Sequence, residues 1–294
     1  EMTSSLVGSE MCIRDRVWKG LAEGLNYGFG FMVIFMLHFT VATKQPAMTA
    51  ARFAEAVEKN PQGKTLNMKL AQLLVDVFRS QSVAVLGNVV VAMGLAALIA
   101  FVYQHQTGEP LMNSENIAYQ LHRIDPLDGS LWFAAIAGVW LFCSGIISGY
   151  FDNRSNYLNM RMRLAQHPLL KKLMSEKSRV KFANYMHENY GSLIGNFCFG
   201  MLLGLTGLVG YLTHLPLDIR HVAFSSANLG YSAVSGQFAY PFFLQCIAFV
   251  LLIGLVNLIV SFSLTLWVAL RSLNTEIDSW WSIWHEVCQI VKKR

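Results

Sequence analysis

Five stretches of this chain, approximately Tyr27 to Thr43, Ser82 to Tyr103, Leu131 to Phe151, Gly191 to Thr213 and Phe242 to Leu270, contain no Asp, Glu, Lys or Arg at all. A helix needs roughly 20 mostly apolar residues, with a range of about 17 to 25, to cross a bilayer core about 30 Å thick. A charge at mid-membrane costs at least a few kcal/mol, so uninterrupted stretches of this length leave few ways to fold. They predict an all-α protein: a polytopic membrane helix bundle of about five transmembrane helices, with amphipathic helices on its surface. Charged residues make up 14% of the 294, against roughly a quarter in soluble domains, and this deficit agrees with lipid as the solvent.

The placement of basic residues orients the bundle, because short cytoplasmic loops hold Lys and Arg in excess. Residues 44–81 carry six: Lys44, Arg52, Lys59, Lys64, Lys69 and Arg79. The next connection carries one, Arg123. Residues 152–190 carry eight: Arg154, Arg161, Arg163, Lys171, Lys172, Lys177, Arg179 and Lys181. The following connection again has one, Arg220, and the tail has four, Arg271, Lys292, Lys293 and Arg294. Five crossings require this alternation. It predicts a multi-pass protein of a bacterial inner membrane with loops 44–81 and 152–190 and the C-terminus in the cytoplasm. Topology also accounts for the net charge of +5 without a nucleic-acid surface. The expected partners are the lipid bilayer and a second copy or another membrane protein; DNA is not among them.

In the first cytoplasmic loop Leu66, Leu70, Leu73, Leu74 and Phe78 recur at helical spacing after a Pro61-Gln62-Gly63 turn signal, which predicts a helix lying on the membrane surface. In the second, Pro168 divides two polar helical stretches, the first continuing the third span. At 39 residues this loop is too short to bury an enzymatic core. The tail, 275–294, sets Ile277, Trp280, Trp281, Trp284, Val287 and Ile290 along one side before Lys292-Lys293-Arg294, an interfacial helix by its tryptophans and lysines.

Polar residues inside the spans are the first place to look for function: His38, Thr40, Asn88, Ser144, Ser148, Asn196 and Asn257. A proton relay normally employs membrane Asp or Glu, and the spans hold none. These side chains are therefore expected to make interhelical hydrogen bonds. Gly145 and Gly149, Gly191 and Gly195, and Gly200 and Gly204 stand four apart, a spacing that brings helix backbones close. Cys143, Cys198 and Cys246 fall in apolar blocks, Cys288 lies near the end, and none has the spacing of a zinc, haem or disulfide site. Asp218, His221 and Ser225 or Ser226 lie too close in sequence for a hydrolytic triad, whose members come from separated segments. His187-Glu188 and His285-Glu286 do not extend to His-Glu-x-x-His. No cofactor or metal is expected, and no catalytic residue can be assigned.

Residues 1–16 stand apart. Glu10-Met11-Cys12-Ile13-Arg14-Asp15-Arg16 matches the in-frame translation of a transposase adapter used in sequencing libraries, so 1–16 is expected to be artefact, 17–294 a single transmembrane domain, and the natural protein to begin further upstream. Four other stretches carry a resemblance: Thr40 to Ala51, with Lys44-Gln45-Pro46-Ala47-Met48-Thr49; Arg79-Ser80-Gln81 with Gly87-Asn88; Ser148 to Arg154, ending Asp152-Asn153-Arg154; and Pro216 to Asn228, with Asp218-Ile219-Arg220-His221. They resemble the proteobacterial membrane proteins named "site-specific recombinase, Gcr family", from about Val17 to the end. The resemblance implies a longer natural chain and, as an alternative function, DNA recombination. It adds Lys44, Gln45, Asp152, Asn153, Arg154, Asp218, Arg220 and His221 to the candidate positions. Strand exchange needs a Tyr or Ser nucleophile among Arg and His side chains in an aqueous groove. The nearest approach is loop 152–190, with Arg161, Arg163, His167, Lys171, Lys172, Tyr185 and Tyr190, and it is short for such a groove. The leading expectation is a non-enzymatic or transport-like envelope protein.

Overall fold

In hydrocarbon every backbone N–H and C=O must be satisfied within the protein, and the apolar stretches meet that demand as helices. A computed structural model describes residues 2–37, 64–272 and 279–292. Among the described residues there are ten helices and no strand: α1 Met2–Met36, α2 Lys64–Thr107, α3 Ser114–Ile124, α4 Ser130–Tyr157, α5 Met160–Gln166, α6 Pro168–Leu173, α7 Glu176–Thr213, α8 Val222–Ser235, α9 Tyr240–Ser272 and α10 Trp280–Lys292. Four of them, α2, α4, α7 and α9, are long and apolar enough to cross a membrane, and they contain the second to fifth uncharged stretches. The first stretch begins inside α1; its last six residues, with His38 and Thr40, lie outside the described residues, as do Lys44, Gln45 and the Pro61 turn.

The helices form two compact units: Glu1–Lys44 with Trp140–Leu217, and Gln45–Val139 with Asp218–Arg294. In the first, α7 is the central element, and half of its apolar window is buried. Its glycines serve two different neighbours. A side chain begun at Gly200 would run into the backbone of Tyr27 and Gly28, and one at Gly204 into the backbone of Glu23 and Gly24. Gly20 reaches Leu208, so α1 and α7 pack antiparallel. One turn and more away, Gly191 faces the Ser148 carbonyl and the Asp152 carboxylate, and a β-carbon at Gly195 would stand 2.8 Å from Ser148 Cβ, so α4 packs antiparallel on the other side. Gly149 of the expected third pair meets nothing within 4 Å. Small residues permit these approaches where apolarity alone cannot drive helices together in lipid.

In the second unit α8 runs alongside α2 in the same direction. Val222 and Val85 converge on Gly254 of α9, and Gly230 lies against the Met93 carbonyl and Ala96. Val89, Ile124, Ala134, Val222, Leu229, Cys246, Val250 and Ile253 form its core. A second cluster, Leu70, Ala71, Leu266 and Ile283, joins α2, α9 and α10.

Two expectations are modified. The amphipathic stretch Leu66 to Phe78 does not form a separate surface helix; nothing in Arg79-Ser80-Gln81 breaks the hydrogen-bond ladder, so it continues directly into the span as one 44-residue helix, about 66 Å long. Residues 222–235, expected as part of a connection, form a 14-residue helix, too short to cross a bilayer, that buries Val222, Leu229 and Gly230 together with Ser225, Ser226 and Ser232. The tail helix fastens to the protein through Ile283, 1% exposed, while Trp281 and Trp284 remain 80% and 59% exposed. Loop 152–190 divides at Pro168, the first residue of α6, where a missing N–H costs a helix nothing.

Candidate functional site

The densest polar arrangement gathers where α8 begins. Its N-cap residue, His221, supplies no side-chain cap, and the orphaned Val222 N–H instead donates to Asn257 Oδ1 of α9 at 3.1 Å. Asn257 Nδ2 donates to the carbonyls of Ala134 at 2.7 Å and Arg220 at 3.0 Å. One amide, 3% exposed, thus joins α9 to α8, to the first turns of α4 and to the segment ahead of α8. Its orientation is dictated: one N–H faces the oxygen and two carbonyls face the nitrogen.

Beside it, the two isolated basic residues of the basic-poor connections meet on one carboxylate. Arg220 Nη1 lies 2.5 Å from Asp218 Oδ2, and Arg123 Nη2 lies 3.2 Å from Asp218 Oδ1. Arg220 Nε donates to the Arg123 carbonyl at 2.8 Å, Nη1 also to the Ile219 carbonyl at 2.8 Å, and the guanidinium stands over the Phe133 ring at 5.1 Å. The Arg220 backbone N–H donates to the Phe133 carbonyl. Burial pulls the Arg220 pKa down and the bond to Asp218 opposes this; a guanidinium remains charged in either case. The turn leading to α4 completes the frame: Asp125 accepts from Leu127 N–H at 2.9 Å, and Gly129 takes φ 79, a left-handed conformation that a β-carbon disfavours.

His221, the next residue, is buried edge-to-face with Phe224, and burial holds its pKa down at about 4. The ring is therefore neutral at pH 7. Above about pH 6.5 it is neutral in the folded and unfolded chain alike; between there and pH 4 only the unfolded chain takes up the proton. Stability should fall as pH drops through that window and level off below it, by a total approaching roughly 3 kcal/mol. Thermal unfolding in detergent at pH 7.5, 6, 5 and 4 should show this slope, and His221→Phe should flatten it; equal slopes in the two proteins would refute it.

The first unit holds a polar seam of a different kind. Asp152 Oδ1 accepts from the Gly191 N–H at 3.1 Å, Ser155 Oγ lies 3.1 Å from His187 Nδ1, Phe151 meets Tyr190 edge-to-face, and Trp140 Nε1 donates to Thr206 Oγ1 at 2.8 Å. Asn196 Nδ2 donates to the Ser192 carbonyl and Ser144 Oγ to the Leu141 carbonyl. Ser148 Oγ is buried without a hydrogen bond among the described residues. The Asp152, Ser155, Phe151 and Trp140 contacts join α4 to α7, whereas Asn196 and Ser144 bond within their own helices.

The structure therefore brings together Asp218, Arg220, His221 and Asn257 of the sequence candidates. It places Asp152 and Asn196 in the seam, leaves Asn153 and Arg154 exposed, with Arg154 Nη1 donating to Tyr150 OH, and leaves Asn88 half-buried with no hydrogen bond among the described residues. Ser226 Oγ donates one turn back to the Val222 carbonyl at 2.6 Å, and both Asp218 oxygens face guanidinium groups, which is not the geometry of a triad. Among the described residues no three His, Cys, Asp or Glu side chains gather as metal ligands would. Arg123 and the Phe133 and Ala134 carbonyls were not singled out by sequence reasoning. For the carbonyls there was no signal. For Arg123 there was one: an arginine standing alone in a basic-poor connection calls for a partner, and Arg220 is its counterpart.

Compared with known proteins, residues 7–294, a segment that begins ahead of Val17, match the model of a protein family described as site-specific recombinase. No curated protein and no solved structure gives a significant match.

Proposed function

This chain belongs to the family described as site-specific recombinase, and from that premise we propose that its own role is architectural: a multi-pass protein of the bacterial inner membrane, C-terminus in the cytoplasm, whose buried polar groups fasten helices instead of processing a substrate. The observation that carries this reading is Asn257. Its three hydrogen bonds to backbone groups of separate segments commit both N–H donors and one lone pair of the oxygen, and Arg220 is likewise engaged by Asp218 and two carbonyls. Groups bound in this way to the backbone of separate segments hold a shape.

The orientation follows from the basic connections at 44–81 and 152–190 and is tested by single cysteines. Glu109→Cys and Gln237→Cys should react with a membrane-impermeant maleimide in spheroplasts, whereas Lys172→Cys should react only after permeabilisation. Labelling of all three from one side would overturn the proposed topology.

The family description favours a second reading, DNA strand exchange. It would draw on Arg161, Arg163, Lys171 and Lys172 of α5 and α6 and on Tyr157, which is 89% exposed. Phosphate contacts make such binding salt-dependent. Purified protein in detergent should leave the anisotropy of a labelled duplex unchanged at 50 mM salt. Salt-sensitive, sequence-selective binding accompanied by strand cleavage would replace the architectural reading with the enzymatic one.

A further inference from the structure

Between α2 and α9 lies a groove of about 190 Å³, lined among others by Phe78, Ser82 and Leu86 on one wall and Leu251, Gly254 and Leu258 on the other. It opens outward, for Phe78 is 60% and Leu86 49% exposed. Gly254 forms its recess: a β-carbon there would stand 2.9 Å from Val222 and 3.1 Å from Val85. We propose that this groove holds one acyl chain of an anionic phospholipid, with the headgroup phosphate at Arg79.

The argument has three parts. Both walls belong to helices long and apolar enough to cross a membrane, so the medium at the mouth of the groove is hydrocarbon. An unfilled recess there forfeits the dispersion contacts of its lining, and a methylene chain restores them. Water is a poor occupant, because a bound water needs two to four polar partners and Ser82 is the one polar side chain of the lining. The position of charge then selects the lipid. Arg79 is exposed and precedes Ser82 by three residues, on the same side of the helix, where the uncharged stretch 82–103 begins. A guanidinium at that depth meets the phosphate layer and binds it by paired hydrogen bonds. The proposal depends on α2 and α9 lying in a bilayer, and neither on which leaflet faces the cytoplasm nor on the architectural reading.

The full chain, reconstituted in nanodiscs of equal phosphatidylglycerol and phosphatidylcholine and then released into detergent for native mass spectrometry, should retain one phosphatidylglycerol. Ser82→Phe, which fills the groove, should lose it, while Leu98→Phe, on an exposed part of the same helix, should keep it. Arg79→Gln should lower the preference for phosphatidylglycerol about five-fold, the equivalent of the roughly 1 kcal/mol that one basic residue contributes at an anionic surface. A measurement on the unmodified chain guards against a variant that does not fold: diazirine-bearing phosphatidylglycerol should label Phe78 to Leu86 and Leu251 to Leu258 above the rest of α2. No retained lipid, undiminished retention by folded Ser82→Phe, or labelling spread evenly along α2 would each overturn the proposal.

Discussion

Asn257→Leu should lower the thermal unfolding midpoint by ~10 °C in detergent, whereas Asn88→Leu should leave it nearly unchanged. Leucine at 257 strands the Val222 N–H and the Ala134 and Arg220 carbonyls in a core from which water is excluded. Each orphaned group costs on the order of 1–3 kcal/mol, and together about 3–5 kcal/mol is expected. Asn88 makes no hydrogen bond among the described residues and is half-buried, so an apolar replacement strands nothing; surface-like changes of this kind stay within about ±0.5 kcal/mol. Both variants can be followed by tryptophan fluorescence on one preparation. If the two midpoints coincide, Asn257 is not the fastener described above.

Gly200→Val should loosen α1 from α7. The new side chain would meet the backbone of Tyr27 and Gly28, and a backbone cannot rotate aside as a flexible side chain can. The cost should lie at the upper end of the roughly 1–3 kcal/mol typical of overpacking. Gly207→Val is the matched control, since nothing lies within 4 Å of Gly207. Limited trypsinolysis gives the readout: cleavage after Lys19, in the α1 turn adjoining the Gly20–Leu208 contact, should accelerate in Gly200→Val and remain at the wild-type rate in Gly207→Val. Identical cleavage of both would show that the close approach does not hold the pair together.

These two pairs of residues also mark how far the chain could be read in advance. Length and the exclusion of charge are properties of a segment, and they located α2, α4, α7 and α9 because a bilayer judges segments by the same two properties. Partner choice is not a segment property. Asn88 and Asn257 are equivalent in the sequence, each a lone amide among apolar neighbours; which one finds three backbone partners depends on how segments more than a hundred residues apart align. The glycines divide in the same way, since Gly200 and Gly207 differ only in what happens to lie opposite. Helix α8 escaped notice because a 14-residue run satisfies neither the length rule for a span nor the polarity expected of a connection. The Asp218 cluster was half legible: its loop was singled out, but the arginine that completes it comes from 95 residues earlier.

The two-sided glycine surface of α7 governs the timetable of assembly. Helices α1 and α4 are synthesised before the element that both of them clasp, so neither close approach can form until translation has passed residue 204. The first unit can close only once α7 itself has been made. A ribosome that stalls inside α7 would leave α1 and α4 without the element that joins them.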